Sequence, residues 1–273
     1  MENMKQYTRA LTIAGSDPSG GAGLQADLKT FSALGVYGMS AIVAVVDENT
    51  VGVTGVHPIP VPFVEGQIRS CIDDIGADAV KIGMLHSSEL ILAVRDTLAP
   101  YGLKNIVLDP VMVATSGDAL LEDDATATLR DELIPAVSVI TPNIPEAEIL
   151  LGQKISSQDE LPDLARELGR LGKGLSVLLK AGHLDGENLT DIFYNGVTGE
   201  CLHLSSPRVA TCNTHGTGCT LSSAFAAWLA RGASLDEAAR KAKEYIAGAI
   251  AAGAEYKIGH GHGPVKHFFN QWE

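Results

Sequence analysis

Three loops carry residues whose types and spacing could do chemistry. The sharpest is Cys212-Asn213-Thr214-His215-Gly216-Thr217-Gly218-Cys219-Thr220, followed by the apolar Leu221-Ser222-Ser223-Ala224-Phe225. Gly216 and Gly218 let the backbone approach a ligand closely. The helix that starts here aims free N–H groups and its positive dipole end at that ligand, which makes an anion hole without lysine. Cys212, His215 and Cys219, with His203 upstream, also offer soft metal ligands. Their spacing matches no common zinc pattern, and the two glycines suit phosphate better.

The second loop is Gly15-Ser16-Asp17-Pro18-Ser19-Gly20-Gly21-Ala22-Gly23. Gly21 stands where a Walker A loop needs its lysine, which argues against a P-loop NTPase. Gly21-Ala22-Gly23-Leu24-Gln25-Ala26 fits a GxGxxA dinucleotide fingerprint, with Asp47 available as a ribose acid. Its first glycine comes six residues late, however, and Asp17 would repel a pyrophosphate. The third feature is Thr141-Pro142-Asn143-Ile144-Pro145-Glu146. As structure, Asn143 is an N-cap and Glu146 the acid of a capping box. As function, Asn143 and Glu146 face a ligand crevice and hold hydrated Mg2+, with Asp109 as a second carboxylate on the rim and Lys180 as a cation there.

These loops need rigid elements to hold them. Short apolar runs at Arg9–Ala14, 38–46, Ala79–Ile82, 105–108, 137–140 and Ser176–Leu179 read as buried strands. A turn at 47–50 and a short strand at 51–57 follow the second run. Helical patterns separate the strands: 24–34 with Leu24, Leu28 and Phe31 on one face, 61–75 with Phe63, Ile68, Ile72 and Ile75 inward, then Ser88–Leu98, 123–133 and 159–171. A hairpin is expected within 190–205, then Ala-rich helices at 218–231 and 235–254. Continuous apolar strands suit a parallel sheet buried on both faces. The expected fold is α/β, a single three-layer α/β/α sandwich over residues 1–273 with a mostly parallel central sheet. In such sheets ligands bind at the carboxyl ends of strands, where all three loops fall.

The net charge of −13, from 20 basic and 33 acidic residues, argues against a general nucleic-acid binder or an anionic-membrane binder. Phosphate must therefore be held locally, by helix-start amides, Mg2+ and Lys180. Four cysteines without a CxxC pair suggest reduced thiols. The N-terminal apolar run is too short for a signal segment, and no run approaches a membrane span. A soluble, cytoplasmic protein is expected. The closing Gly259-His260-Gly261-His262-Gly263-Pro264, with His267, invites a metal guess but reads more simply as a flexible C-terminal segment.

Taken together, the segments 14–31, 47–53, 81–85, 109–121, 141–152, 178–184, 214–225 and 261–269 resemble the ribokinase-like small-molecule kinases, specifically the hydroxymethylpyrimidine/phosphomethylpyrimidine kinase family. The resemblance implies a homodimeric enzyme of thiamine biosynthesis. It implies that ATP phosphorylates 4-amino-5-hydroxymethyl-2-methylpyrimidine and then its monophosphate. It implies that Gly15, Asp27, Met84 and Val111 form the pyrimidine pocket, that Asn143, Glu146, Lys180, Thr214 and His215 contact ATP or Mg2+, and that Gly216, Gly218 and Cys219 form the anion hole and face the attacking hydroxyl. A thiol at a helix N-terminus has a lowered pKa, so a Cys219 thiolate is the expected base. Two departures stand out. Glu48 occupies the position of the family's usual glutamine, and is expected to pair with the exocyclic amine, with or without a protonated ring nitrogen. Thr115 replaces the usual lid lysine. Ala114 replaces the lid cysteine of a related pyridoxal-kinase branch, which leaves vitamin B6 phosphorylation as the second reading and a non-catalytic nucleotide- or pyrimidine-binding protein as a third.

Overall fold

The computed structural model describes residues 5–112, 125–184 and 186–272. Its strands are β1 (Arg9–Ala14), β2 (Tyr37–Ile42), β3 (Ala44–Asn49), β4 (Gly52–Pro58), β5 (Ala79–Ile82), β6 (Ile106–Leu108), β7 (Val139–Ile140), β8 (Ser176–Leu179), β9 (Asn188–Tyr194) and β10 (Cys201–Pro207). Eight of them form one sheet in the order β10-β9-β8-β7-β6-β5-β1-β2. Neighbours from β2 through β8 are parallel, and β9 and β10 close one edge antiparallel.

The helices are α1 (Gly23–Ala33), α2 (Val61–Asp74), α3 (Ser88–Leu98), α4 (Ala125–Thr128, running on as a π turn over Leu129–Leu133), α5 (Ile144–Leu151), α6 (Leu161–Gly169), α7 (Thr217–Ala230) and α8 (Leu235–Gly253). Successive strand side chains point to opposite faces, and the strands therefore feed two cores. Leu11, Ile13, Val80, Ile82, Leu108 and Ile140 pack under α2, α3, α5 and α6. Ala10, Ala79, Val107, Val139 and Leu178 pack under α1, α7 and α8. The expected three layers and mostly parallel sheet are therefore present. Small residues let α7 lie close across β1, β5 and β6, with Phe225 fully buried 5.6 Å from the Phe193 ring. Burying such a ring contributes about 1.5–3 kcal/mol.

The chain leaves β1 for β2 on one side and returns to β5 on the other. This reversal opens a crevice at the strand carboxyl ends. Loop 15–22 emerges there, and the first turn of α7 sits over it.

Three local expectations are corrected. The run 38–46 is not one strand: beyond Ile42 the chain turns at buried Val43, whose N–H donates to the Ala14 carbonyl (3.1 Å). β3 then leaves the sheet to pair antiparallel with β4, running on through Asn49, with a bulge between Asp47 and Glu48. On α2 the buried residues are Val64, Ile68 and Ile72, one per turn, whereas Phe63 is 67% exposed and Ile75 36%. Phe63 lies one residue, about 100°, off that stripe. The expected helix 159–171 opens with a 3-10 turn at Gln158–Glu160, and α6 proper begins at Leu161. The hairpin is found as expected, as β9 and β10.

Candidate active site

A cavity of about 590 Å3 occupies the crevice. One end is walled by Gly15, Val46, Glu48, Val53, Met84 and Val111. The other is walled by His183, Val209, Lys243, Ile246 and Ile250. Asp109, Asn143, Glu146, Lys180 and 214–219 lie along it. The structure thus brings together every predicted site residue but one.

The exception is Asp27. It is fully buried beneath the cavity, on the α1 face that meets β1, β5 and α7. Its Oδ2 accepts from Thr12 Oγ1 (2.6 Å) and Lys81 Nζ (2.9 Å), and its Oδ1 from Ser223 Oγ (2.6 Å). Protein donors hold both of its oxygens and it does not line the cavity, so it supports the floor instead of touching a pyrimidine. Burial works against the Lys81 charge, but Asp27 beside it holds the ammonium above the ordinary lysine range.

Loop 15–22 folds around Asp17, which is also buried. Ser19 N donates to Oδ1 (2.8 Å). Gly21 N (2.9 Å) and Ala22 N (2.7 Å) donate to Oδ2, and His215 Nε2 lies 2.9 Å from the same oxygen. Burial opposes the Asp17 charge, but bonds from His215, Ser19 and the Ala22 N–H hold the carboxyl well below its usual range. The loop amides that a dinucleotide pyrophosphate would need are therefore already taken. Gly21 is small for a packing reason: a Cβ there would sit 2.5 Å from His215 Cδ2.

His215 reaches across to the hairpin as well, with Nε2 4.0 Å from Glu48 Oε1. Burial lowers the affinity of the His215 ring for a proton, and the Asp17 bond and Glu48 charge raise it beyond that loss. Glu48 is held above the usual carboxylate range by burial first and by the Asp17 charge second. Asp17, Glu48 and His215 place ligand atoms within 4.8 Å of one another, the metal-type cluster found among the described residues. Cys212, Cys219 and His203 do not belong to it, and Asp17 is already saturated by hydrogen bonds.

The start of α7 differs. Its N-cap, Gly216, has φ +74° and no side-chain cap. A Cβ at Gly216 would collide with the Gly21 carbonyl, so both glycine loops need that residue to abut. The first-turn amides of Gly218 and Cys219 precede any intrahelical acceptor and face the cavity. Under them lies the ion pair Lys180 Nζ–Asp109 Oδ1 (3.0 Å), with Thr141 Oγ1 on the same oxygen (2.9 Å). A Cβ at Gly218 would come within 3.3 Å of both Asp109 Oδ2 and Lys180 Nζ. Asp109 is disfavoured by burial but held low by the charges of Lys180 and Lys81.

The structural reading of Asn143 and Glu146 holds, and it leaves both on the cavity wall. Asn143 Oδ1 accepts from Glu146 N (2.9 Å), and Glu146 Oε2 accepts from Asn143 N (2.8 Å), a complete capping box at the start of α5. Both also line the cavity. Burial, opposed by Lys180 and reinforced by the Asp109 charge, pushes Glu146 up to about 7.

A profile of the family described as phosphomethylpyrimidine kinase matches residues 17–266. The hydroxymethylpyrimidine/phosphomethylpyrimidine kinase of Rhizobium meliloti is 49% identical over 97% of this chain and 98% of its own. The chain belongs to the phosphomethylpyrimidine kinase family. Among solved structures, phosphomethylpyrimidine kinase from Clostridium difficile is 45% identical with a TM-score of 0.77, over 89% of this chain and 99% of that one. An ADP complex of Bacillus subtilis pyridoxal kinase is 38% identical with a TM-score of 0.88, over 98% and 100%.

For a kinase of this family, one expectation needs correction. The Cys219 thiol is not poised as a thiolate. Burial, with Asp27 and Asp109 adding to it against Lys81, pushes it up to about 11. The helix-end effect loses to desolvation and two nearby carboxylates. Sequence reasoning also passed over Lys81, Asp191 and Lys243. Lys81 was visible as a lone cation inside a four-residue apolar strand. Lys243 Nζ pairs with Asp191 Oδ2 (2.7 Å) at the far end of the cavity, where a helix-pattern lysine meets a strand-pattern aspartate with no shared motif.

Proposed function

We propose that this kinase transfers phosphate from ATP to the hydroxymethyl group of 4-amino-5-hydroxymethyl-2-methylpyrimidine, and then to the resulting monophosphate. The observation that carries this reading is the uncapped start of α7, set over the Asp109–Lys180 pair at the middle of a two-ended cavity. A phosphoryl group in transit requires positioning and charge stabilisation above all. The Gly218 and Cys219 amides supply fixed donors to its developing charge, and Lys180 supplies a buried cation. Thr214 and His215 line the approach to the same helix start. Glu48 accepts from the amine of the pyrimidine, while Gly15, Met84, Val46 and Val111 pack its ring. Asp27, Thr12 and Lys81 hold the floor. Cys219 faces the hydroxyl as a neutral thiol in the resting protein, and it can accept the hydroxyl proton only as a thiolate, after giving its own proton to solvent.

Glu146 and Asp109 fit a divalent cation: two buried carboxylates share one lysine, and the raised Glu146 pKa records a charge that lacks full compensation. Mg2+ held there would neutralise phosphate charge. The 273 residues act as one catalytic unit. A homodimer is the expected assembly, supported by exposed Val45 and Val56 on the hairpin and Phe63 beside its base. The four unpaired thiols suit a cytoplasmic setting.

An ADP-release assay tests this reading with the hydroxymethylpyrimidine, its monophosphate, pyridoxal and no acceptor. Turnover is expected with the first two. Turnover with pyridoxal alone would replace the pyrimidine reading by the vitamin B6 one. The Glu48 carboxylate favours the aminopyrimidine, and Glu48→Ala is expected to weaken its binding; unchanged affinity would remove Glu48 from the pocket. Ala114 and Thr115 lie outside the described residues.

A further inference from the structure

The glycine-spaced tail is not a loose end. Thr50, at the tip of the β3–β4 hairpin, accepts from the tail backbone: His260 N and Gly261 N on Oγ1 (both 3.3 Å), and His262 N on its carbonyl (2.8 Å). At the next residue, the Gly263 carbonyl accepts from His215 N (3.0 Å), and His215 pairs with Pro264 as a parallel bridge. His262 Nδ1 lies 3.2 Å from the Cys212 carbonyl. A Cβ at Gly259 or Gly261 would collide with Thr50, and one at Gly263 with Asn213. Two of the alternating glycines therefore serve the hairpin and one the loop before α7. The segment's own root is fixed by Asn213, whose Nδ2 donates to the carbonyls of Gly253 (2.8 Å) and Tyr256 (2.6 Å).

The hairpin needs such a tie. A two-stranded ribbon is marginal by itself. Its base is held by Ser16 N to the Ala44 carbonyl (3.0 Å), Val46 N to Ser16 Oγ (3.0 Å) and Ile59 N to the Val43 carbonyl (3.0 Å). Its tip is held by the tail. Between base and tip it carries Glu48 and Val53 into the cavity, opposite His215.

We propose that residues 259–264 are a positioning strap that fixes the hairpin wall of the acceptor pocket against the anion-binding start of α7, so that occupancy of either end of the cavity favours the other. Thr50 and Gly261 act through Glu48 and His215 and touch neither ligand. The proposal rests on the functional reading above only in naming the acceptor. Linkage requires the coupling to be reciprocal.

The test uses Gly261→Ala, which forces tail and tip apart, and Thr50→Val, which deletes the Oγ1 acceptor but keeps the branched shape. Hydrogen exchange on the unliganded full chain should show faster exchange of hairpin amides 47–53 in both variants, with melting temperatures near wild type. In kinetics, Gly261→Ala should raise the acceptor KM by about tenfold and Thr50→Val by about threefold, with kcat within about twofold. The factor by which a non-hydrolysable ATP analogue tightens acceptor binding should fall toward one. Unchanged exchange at 47–53 in both variants overturns the strap, as does an equal loss of kcat and melting temperature without a KM effect. If wild type proves inactive on the pyrimidine, the functional reading fails and the exchange result alone decides the strap.

Discussion

The two glycine-rich loops that meet at the crevice look alike as sequence and do opposite things with their backbone amides. Loop 15–22 turns its N–H groups inward, onto the Asp17 carboxylate. The loop before α7 leaves the Gly218 and Cys219 amides open and places an ion pair under them. One loop is a closed anion site with its anion built in, and the other is an open site awaiting one. Glycine density says that a backbone must come close to something; it does not say whether that something is a ligand or the protein. The discriminating residue is Asp17, because a carboxylate inside a glycine loop fills the site from within.

Breaking the open loop should have the largest effect on activity. Gly218→Ala keeps an ordinary helical backbone but adds a methyl 3.3 Å from both Asp109 Oδ2 and Lys180 Nζ, where the phosphate must settle. We expect kcat to fall by about 10^2–10^3, the scale of losing one oxyanion-type donor. The melting temperature should be almost unchanged, since alanine is the better helix former. A variant that keeps more than a tenth of wild-type kcat would show that the α7 start is not the anion site.

Next comes Glu146→Gln, which separates the structural from the functional half of the capping box. Glutamine can still reach back to the Asn143 N–H. Activity should fall by about 10^2, because a neutral amide holds Mg2+ poorly. Stability should move the other way. The folded Glu146 pKa of about 7 lies above the unfolded value near 4.5, so the folded state binds the extra proton, and wild-type stability declines as pH rises between them. The variant should therefore melt higher than wild type at pH 8 and alike at pH 4. In wild type at limiting Mg2+, kcat/KM should climb as pH rises through about 7, and the climb should shift to lower pH when Mg2+ is saturating.

Much of this was readable from the chain alone, for identifiable reasons. Arg9–Ala14, Ala79–Ile82, Ser176–Leu179 and Ser88–Leu98 have the expected bounds, because glycine, proline or a capping serine marks at least one end of each apolar run. Asp109, Glu146, Lys180 and Gly216–Cys219 could be assigned to one rim because each borders the carboxyl end of a parallel strand or starts a helix there. What could not be read depended on rotation or on distant charge. Whether Asp27 faces the cavity or the core is decided by the turn of α1 about its own axis. The 38–46 run keeps its apolar pattern while its strand partner changes from β1 to β4. The Cys219 pKa reflects burial first and then the charges of Lys81, Asp27 and Asp109, which come from three separate segments.

Breaking the closed loop should cost stability more than rate. Asp17→Asn leaves one acceptor oxygen and puts an NH2 against backbone donors that include Ser19, Gly21 and Ala22 N–H groups. Stranding part of that set should cost about 1–3 kcal/mol by denaturant titration. Activity should fall only several-fold, through movement of His215 beside Glu48. The pH dependence carries the sign. The Asp17 pKa is depressed on folding, so its contribution is complete above the unfolded value near 4 and is lost as pH falls below it. The His215 pKa is raised, so its contribution is complete below the unfolded value near 6.5 and is lost as pH rises through the folded one. The stability gap between wild type and variant should therefore be widest between about pH 4 and 6.5 and narrow on either side. A gap that stays flat from pH 4 to 9 would mean that Asp17 holds the loop through backbone hydrogen bonds alone and that His215 takes no charge from it.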